Sequence, residues 1–256
     1  MSGLKTIKYR DLSLTALPSG GTLVTACDSC GSIGSKPRDL LQIPAYYSGR
    51  FTARVPLLEV LSCRADPIVV VNTVSCEMDP TGLEIIRGIQ DELVSANVNL
   101  EVLTGSTEEN FPTAMTALGV TVIGYCPTQP DFHVRADDLV YCIGKPKVGA
   151  EINLDMDCEI ASYQELFWLQ QLSGIREIIP TGSKGILYEL DHAAKFYGLC
   201  FKATNCLELD LEKSTGPATC LIAIVSPQLS RQLDGVEKCT YLGKFGKKQY
   251  IDSPRI

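Results

Sequence analysis

The run Pro67-Ile68-Val69-Val70-Val71-Asn72-Thr73-Val74 constrains this chain more than any other stretch. Consecutive β-branched aliphatic residues are stiff in a helix and pack well on a pleated surface, so the run predicts a buried strand. The residues after it set the fold class. Thr81-Gly82-Leu83-Glu84 has the Ser/Thr-x-x-Glu spacing of a capping box, and the helix it opens aims Ile85, Ile86, Ile89 and Leu93 at a core. Strand followed by capped helix is the α/β rhythm, and the second half repeats it. Leu139–Ile143 reads as a strand and Ser162-Tyr163-Gln164-Glu165 as a second capping box. Ile175–Ile179 leads into the loop Pro180–Gly185, then into a helix that runs to Tyr197 and stops at Gly198. Thr219–Val225 is a late apolar strand.

The remaining segments fit around this frame. Lys5–Leu14 predicts an opening strand, Pro18-Ser19-Gly20-Gly21 a turn and Thr22–Ala26 a second strand. Arg50–Cys63 predicts a helix in which Pro56 forces an irregular first turn or a later start. Glu101–Leu103 and Ala117–Tyr125 are further strands, flanking the polar segment Thr104–Thr113. Pro127 to His133 reads as a linker, and Gly246–Ile256 as a polar surface tail. The expectation is an α/β (α+β) chain of two domains, residues 1–126 and 127–256, which suits 256 residues.

Charge and cysteine usage exclude several functions. The chain has 23 Lys and Arg against 30 Asp and Glu, a formal charge of −7, so nucleic acid and anionic membranes are poor partners. No stretch approaches the roughly 18 apolar residues of a membrane span, and no apolar segment follows the first lysines as a secretory signal requires. Eleven scattered cysteines, an odd number, argue against a disulfide framework and for a reducing cytoplasm.

Three segments can carry chemistry. In Ala26-Cys27-Asp28-Ser29-Cys30-Gly31-Ser32-Ile33-Gly34-Ser35-Lys36, a strand ends in a carboxylate and a Gly/Ser loop adds backbone N–H groups and Lys36. A carboxylate for Mg²⁺ with N–H groups and a lysine for phosphate is what phosphoryl transfer needs. The spacing is not that of a Walker loop, and Cys27 and Cys30 lack the partners of a zinc site. In the second segment, Glu59 interrupts an apolar helix and must be solvated, paired or on a metal; Arg50, Arg54 and Arg64 are the candidate partners. The third, Leu103-Thr104-Gly105-Ser106-Thr107-Glu108-Glu109-Asn110, is rich enough in hydroxyls and carboxylates to be a ligand loop or a solvated turn.

Taken in order, these segments resemble the aminoimidazole ribonucleotide (AIR) synthase-like superfamily, which includes AIR synthase, thiamine monophosphate kinase, selenophosphate synthetase and the hydrogenase-maturation carbamoyl dehydratase. The ordered features are Asp28, Ser35-Lys36, Glu59 ten residues after Gly49, Ala65-Asp66-Pro67, Gly105-Ser106-Thr107 and Gly182-Ser183-Lys184-Gly185. The resemblance spans nearly the whole chain. It departs from the superfamily pattern at Glu59, Ser106 and Lys184, where aspartates are expected. Ala26–Gly31, Leu103–Thr113 and Pro146–Glu151 look most similar to a short branch of alpha-ribazole kinases of cobalamin salvage. The resemblance implies a cytoplasmic homodimer that uses ATP and Mg²⁺ to phosphorylate a nucleoside-like small molecule. It implies Asp28 and Glu59 as metal ligands, with Asp28, Lys36 and Lys184 as catalytic residues. Gly31, Ser35, Gly105, Ser106, Thr107 and Glu108 would contact the nucleotide, and the loops Gly144–Gly149 and Thr181–Gly185 would face the acceptor. Glu108 or Glu109 stands as a replacement for the aspartate missing at Ser106.

Overall fold

A computed structural model describes residues 4–205 and 209–248. In chain order the first half holds β1 (Thr6–Tyr9), β2 (Leu12–Ala16), β3 (Thr22–Gly31), the short pair β4 (Ile33–Gly34) and β5 (Leu41–Gln42), α1 (Ala45–Ser62), β6 (Asp66–Val74), α2 (Leu83–Ser95), β7 (Leu103–Thr107) and β8 (Ala117–Cys126). The second half holds β9 (Leu139–Ile143), α3 (Tyr163–Gln171), β10 (Ile175–Pro180), α4 (Gly185–Tyr197), β11 (Leu199–Ala203), β12 (Leu221–Val225), the single-turn α5 (Ser230–Leu233) and β13 (Cys239–Lys247). Each half builds one sheet. The first is mixed, in the order β1-β2-β3-β8-β6-β7, with only β6 and β7 parallel; the second is antiparallel, in the order β10-β12-β9-β13-β11.

Helix α1 lies between the sheets and touches β3 and β8 of the first, β10 of the second, and both α2 and α3. That position explains its sequence, which is apolar almost all round: Ala45, Ala53, Leu57, Leu58 and Val60 are each 0% exposed. It also explains two differences from expectation. The helix starts at Ala45, ahead of Arg50, and it passes straight through the buried Pro56. An interior proline costs a helix about 3 kcal/mol, and burial on every side outweighs that cost here. On the other face of the second sheet, α4 buries Ile186, Leu190 and Ala193 in a second core with Ile222, Ile224 and Phe245. With both faces covered, β12 is buried at every residue.

Several local readings change. Lys5–Leu14 is a hairpin of two strands, turning at Arg10 and Asp11, with Arg10 in the left-handed region (φ 52°). No glycine, proline or asparagine marks that turn. Thr81 does not cap α2; its hydroxyl donates to Glu77, and the helix grows from a wider turn over Met78–Gly82. Leu100–Val102 is a short 3-10 turn, and the strand expected there begins at Leu103 and extends through Thr107. The Ser162–Glu165 capping box forms, and Gly198 ends α4 at φ 67°. Gly246 and Lys247 belong to β13; the expected tail beyond Lys248 lies outside the described residues. Finally, β6 is buried on one face only: Val70, Asn72 and Val74 face the helices, while Ile68 is 44% exposed.

The hairpin tip supplies the polar clamp between the halves. The Arg10 guanidinium, 1% exposed, reaches Glu59 of α1 at 3.0 Å and Glu177 of β10 at 3.5 Å. Tyr9 and Tyr197 donate their hydroxyls to Glu177 at 2.8 and 2.7 Å. Glu59 is therefore ion-paired in the interior, and its partner is none of the three arginines named from the sequence. Arg50 goes to Glu92, Arg54 to the carbonyls of Ala161, Pro217 and Ala218, and Arg64 to the carbonyl of Gln170.

Two predictions follow from this packing. Helices α1 and α2 meet through Gly49 and Gly88, where an added Cβ would lie 2.1 Å from the Ile85 carbonyl oxygen and 1.9 Å from that of Tyr46. Gly88→Ala should therefore cost about 1–3 kcal/mol in urea denaturation despite alanine's better helix propensity; an unchanged midpoint refutes the close approach. The second concerns pH. Burial pushes Glu59 and Glu189 up to about 7, against the pull of Arg10 and with mutual repulsion acting on Glu59. A carboxyl that holds its proton more tightly in the folded chain stabilises the fold below its unfolded pKa and loses that contribution as pH rises through the folded value. Asp28 and Glu177 shift in the same direction, whereas Glu77 is lowered to about 2 and acts only in more acid solution. Stability should fall between pH 5 and pH 8 by about 2 kcal/mol, and Glu189→Gln should flatten that slope. Equal slopes in wild type and variant would remove Glu189 from the effect.

Candidate active-site cleft

A cleft of about 530 Å³ opens where the two halves meet. Its first wall is the end of β3. Residues alternate along that strand, with Thr22, Val24 and Ala26 buried under α1, and the same face continues to Asp28 and Cys30. The strand runs on to Gly31, so Asp28 is an inner-face residue of a strand rather than its last. Cys27 and Cys30, three residues apart, fall on opposite faces: Cys27 is exposed, and Cys30 lines the cleft with its thiol pushed up to about 11 by burial. They do not form a pair.

The floor is apolar. Ile33, Leu41 and Ile43 come from the loop after β3, and Tyr47 and Phe51 from the first turns of α1. The loop is pinned by Asp39, whose carboxylate accepts from Thr116 N and Oγ1, both at 2.7 Å, and from Lys36 N at 2.8 Å. The second half closes the cleft with a strap, Val148 to Asp157. Val148, Ile152 and Leu154 face inward. Tyr47 donates to Asp155 at 2.7 Å, and Lys147 reaches both oxygens of Asp157 at 2.9 and 2.7 Å. The polar end is made by Ser183, just before α4, and by Ser214 and Gly216. Those two loops are tied together by Thr215, whose hydroxyl donates to the Gly182 carbonyl at 2.6 Å.

The structure brings Asp28 and Gly31 into this cleft, together with Gly149 and Ser183 of the two loops expected to face the acceptor. It places the other expected site residues elsewhere. Ser35 is exposed outside the cleft, and Lys36, held at 14% exposure, is bound in an ion pair with Glu77. Gly105, Ser106 and Thr107 lie on the edge strand β7, where the Asn72 side chain leaves no room for a Cβ at Gly105. Thr107 donates to Glu109 at 2.8 Å, and the half-buried Glu108 caps its own turn, accepting from Asn110 N at 2.6 Å. Lys184 is exposed at the start of α4, with its amine 3.1 Å from the Tyr188 hydroxyl and 4.4 Å above that ring.

The hairpin turn hidden from the sequence places further charge beside the cleft. Asp11 raises the proton affinity of Asp28, and Asp11 and Glu189 both act on Lys184. Glu189 is 5% exposed and receives the Gly182 N–H. The available signal for Arg10 and Asp11 was the charged dipeptide interrupting the alternation of Tyr9, Leu12 and Leu14. Glu189 had none. Asp28 itself is raised first by burial. A carboxylate that has lost water gains from any cation that restores the lost solvation. Among the described residues no three His, Cys, Asp or Glu side chains converge as a ready metal cage. Asp28 nonetheless fits magnesium chemistry, because Mg²⁺ is commonly held by one or two carboxylates with waters and phosphate oxygens completing the shell.

No protein-family profile and no curated protein sequence matches the chain. Solved structures do. Thiamine monophosphate kinase from Aquifex aeolicus superposes with a TM-score of 0.65 at 13% identity, over 91% of this chain and 88% of that one. AaThiL complexed with AMPPCP and TMP gives 0.64 at 11%, over 93% and 85%. HypE, a hydrogenase maturation protein of E. coli, gives 0.64 at 12%, over 88% and 80%. Identities this low carry the fold and nothing finer, and the fold of this chain is the AIR synthase-like one.

Proposed function

We propose that the chain is an ATP-dependent kinase that phosphorylates a hydroxyl of a nucleoside-like small molecule, with alpha-ribazole as the acceptor. The observation that carries this reading is the cleft, which sets an apolar floor of Ile33, Leu41, Ile43 and Phe51 against a half-buried carboxylate, Asp28, and the hydroxyls of Ser183 and Ser214. A flat base suits the floor, and a sugar or phosphate suits the polar end. A relative in fold holds AMPPCP and TMP together, which supports a nucleotide and a small acceptor on this scaffold. Asp28 would hold Mg²⁺, which when bound supplies charge neutralisation on the phosphates. Phosphoryl transfer asks little more of the protein than positioning and exclusion of water, and the strap over Tyr47 provides both. The exposed Lys184 would reach incoming phosphate by swinging off the half-buried Tyr188 ring; Lys36 would do so only by leaving Glu77. Among the described residues no helix is long and apolar enough to cross a membrane.

Incubation with ATP, Mg²⁺ and alpha-ribazole, followed by ³¹P NMR, should yield ADP and a phosphomonoester. Asp28→Asn should weaken MgATP binding by at least tenfold in calorimetry, a loss of about 1.4 kcal/mol or more. Formation of AMP, or tight MgATP binding without turnover of any nucleoside, would defeat the kinase reading. The latter result would leave a nucleotide-binding regulator, a rival that the ion-paired Glu59 and the exposed Ser106 support.

The homodimer belongs to the same proposal. The uncovered face of the first sheet carries an apolar band across three strands, with Thr25, Ile123 and Val69 in register and Cys27, Thr121 and Val71 beside them. A sheet face of this kind is stable when another sheet covers it. Light scattering should give twice the chain mass, and Ile123→Asp should give the single-chain mass with the fold retained by circular dichroism. A wild-type monomer at micromolar concentration refutes the dimer.

A further inference from the structure

We propose that Arg10 is a built-in cation, standing where Glu59 would otherwise hold a metal ion, so that the Glu59 position takes no divalent cation in this protein. The resemblance assigns Glu59 to a metal, and the geometry assigns it to a guanidinium. Arg10 Nη1 donates to both Glu59 oxygens, at 3.3 and 3.0 Å, and the two side chains are 1% and 7% exposed. Glu177 lies on the opposite side of the same guanidinium, with Nε at 3.5 Å, and is itself buried. Glu189 and Asp11 are close enough to act electrostatically on Glu59. The cation thus pairs directly with carboxylates of α1 and β10, and acts on the Glu189 carboxylate of α4 at longer range.

Two further observations separate this arrangement from an ordinary ion pair. Arg10 Nε and Nη2 are buried and have no hydrogen-bond partner, so the guanidinium is held by charge more than by matched donors. Arg10 also occupies the left-handed backbone region at the hairpin turn, a conformation that favours glycine. The turn accepts that strain with a residue whose side chain fills the cage. Adding a divalent ion would set two like charges side by side in a poorly screened interior, and Mg²⁺ gives up its water reluctantly. The groups that act on the Arg10–Glu59 pair are Tyr9, Arg10 and Asp11 from the hairpin, Glu59 from α1, Cys63 just after it, Glu177 from β10, and Glu189 and Tyr197 from α4. Arg10 is the only one of them that is a permanent cation.

The test needs no nucleotide, so its result is independent of the kinase reading. Mn²⁺ is titrated into the whole chain and followed by electron paramagnetic resonance, with thermal melts in Mg²⁺ alongside. Wild type and Glu59→Gln should bind Mn²⁺ alike, and Mg²⁺ should shift their melting temperatures by the same amount. Arg10→Ala should melt lower, gain a Mn²⁺ site at least tenfold tighter than any in wild type, and recover melting temperature in Mg²⁺. Arg10→Ala/Glu59→Gln should lose that gain. Arg10→Lys, which keeps one positive charge in the cage, should remain without the site. A Mn²⁺ site in wild type that disappears in Glu59→Gln would overturn the proposal, as would a folded Arg10→Ala that gains no metal. If Arg10→Ala does not fold with or without Mn²⁺, the comparison of wild type with Glu59→Gln decides the question.

Discussion

The burial of α1 between two sheets is the constraint on which the rest of this structure depends. A helix covered on all sides cannot tolerate an unpaired charge, yet α1 carries Arg54 and Glu59 among its fully buried residues. Each is resolved by a contact that crosses between the halves. Arg54 donates to carbonyls at Ala161, Pro217 and Ala218, and Glu59 meets Arg10, which in turn meets Glu177. The polar residues of the central helix therefore fix how the second sheet sits on the first. Apolar packing supplies the bulk of the stabilisation but is indifferent to small slides; buried ion pairs with unique partners are not. The cleft inherits its shape from that registration, since its walls come from both halves.

The fold was legible in the sequence where local chemistry and burial agree. The Ser162 capping box, the glycine stop at Gly198 and the strand Leu139–Ile143 depend on a few neighbouring residues, and they form as read. Departures occur where a distant contact decides. Thr81 has the right spacing for a cap, but Glu77 competes for its hydroxyl and wins. Pro56 should end a helix, but packing on every side carries the helix through it. The hairpin at Arg10 has only Asp11 as a turn-favouring residue, because the turn is selected by what the Arg10 side chain reaches, more than 40 residues away in Glu59 and more than 160 away in Glu177. No reading of local pattern contains those partners.

The candidate site divides along the same line. Asp28 and the loop around Ser183 were visible because a carboxylate on a strand and a Gly/Ser turn before a helix are local signals, and the cleft unites them. Lys36, Thr107 and Glu108 had equally good local signals, but the chain puts their polar groups to structural use. A charged or hydroxyl residue in a polar loop advertises capacity, and the capacity is free for a ligand only if no neighbour has taken it. The apolar floor was not seen at all, since Ile33, Leu41 and Ile43 look like ordinary loop hydrophobes until the loop is folded back by Asp39 and Thr116.

The charge balance around the cleft ties these departures together. Asp11, Asp28, Glu59, Glu177 and Glu189 gather near the meeting of hairpin, α1, β10 and α4, and the cations among them are Arg10 and Lys184. That many carboxylates in a partly dry region cannot all ionise without compensation, which is why burial raises Asp28, Glu59, Glu177 and Glu189 together. The Arg10 guanidinium and the Lys184 ammonium supply part of that compensation from within the chain. Asp28 is the one carboxylate of this group that lines the open cleft, where a ligand's charge must be met.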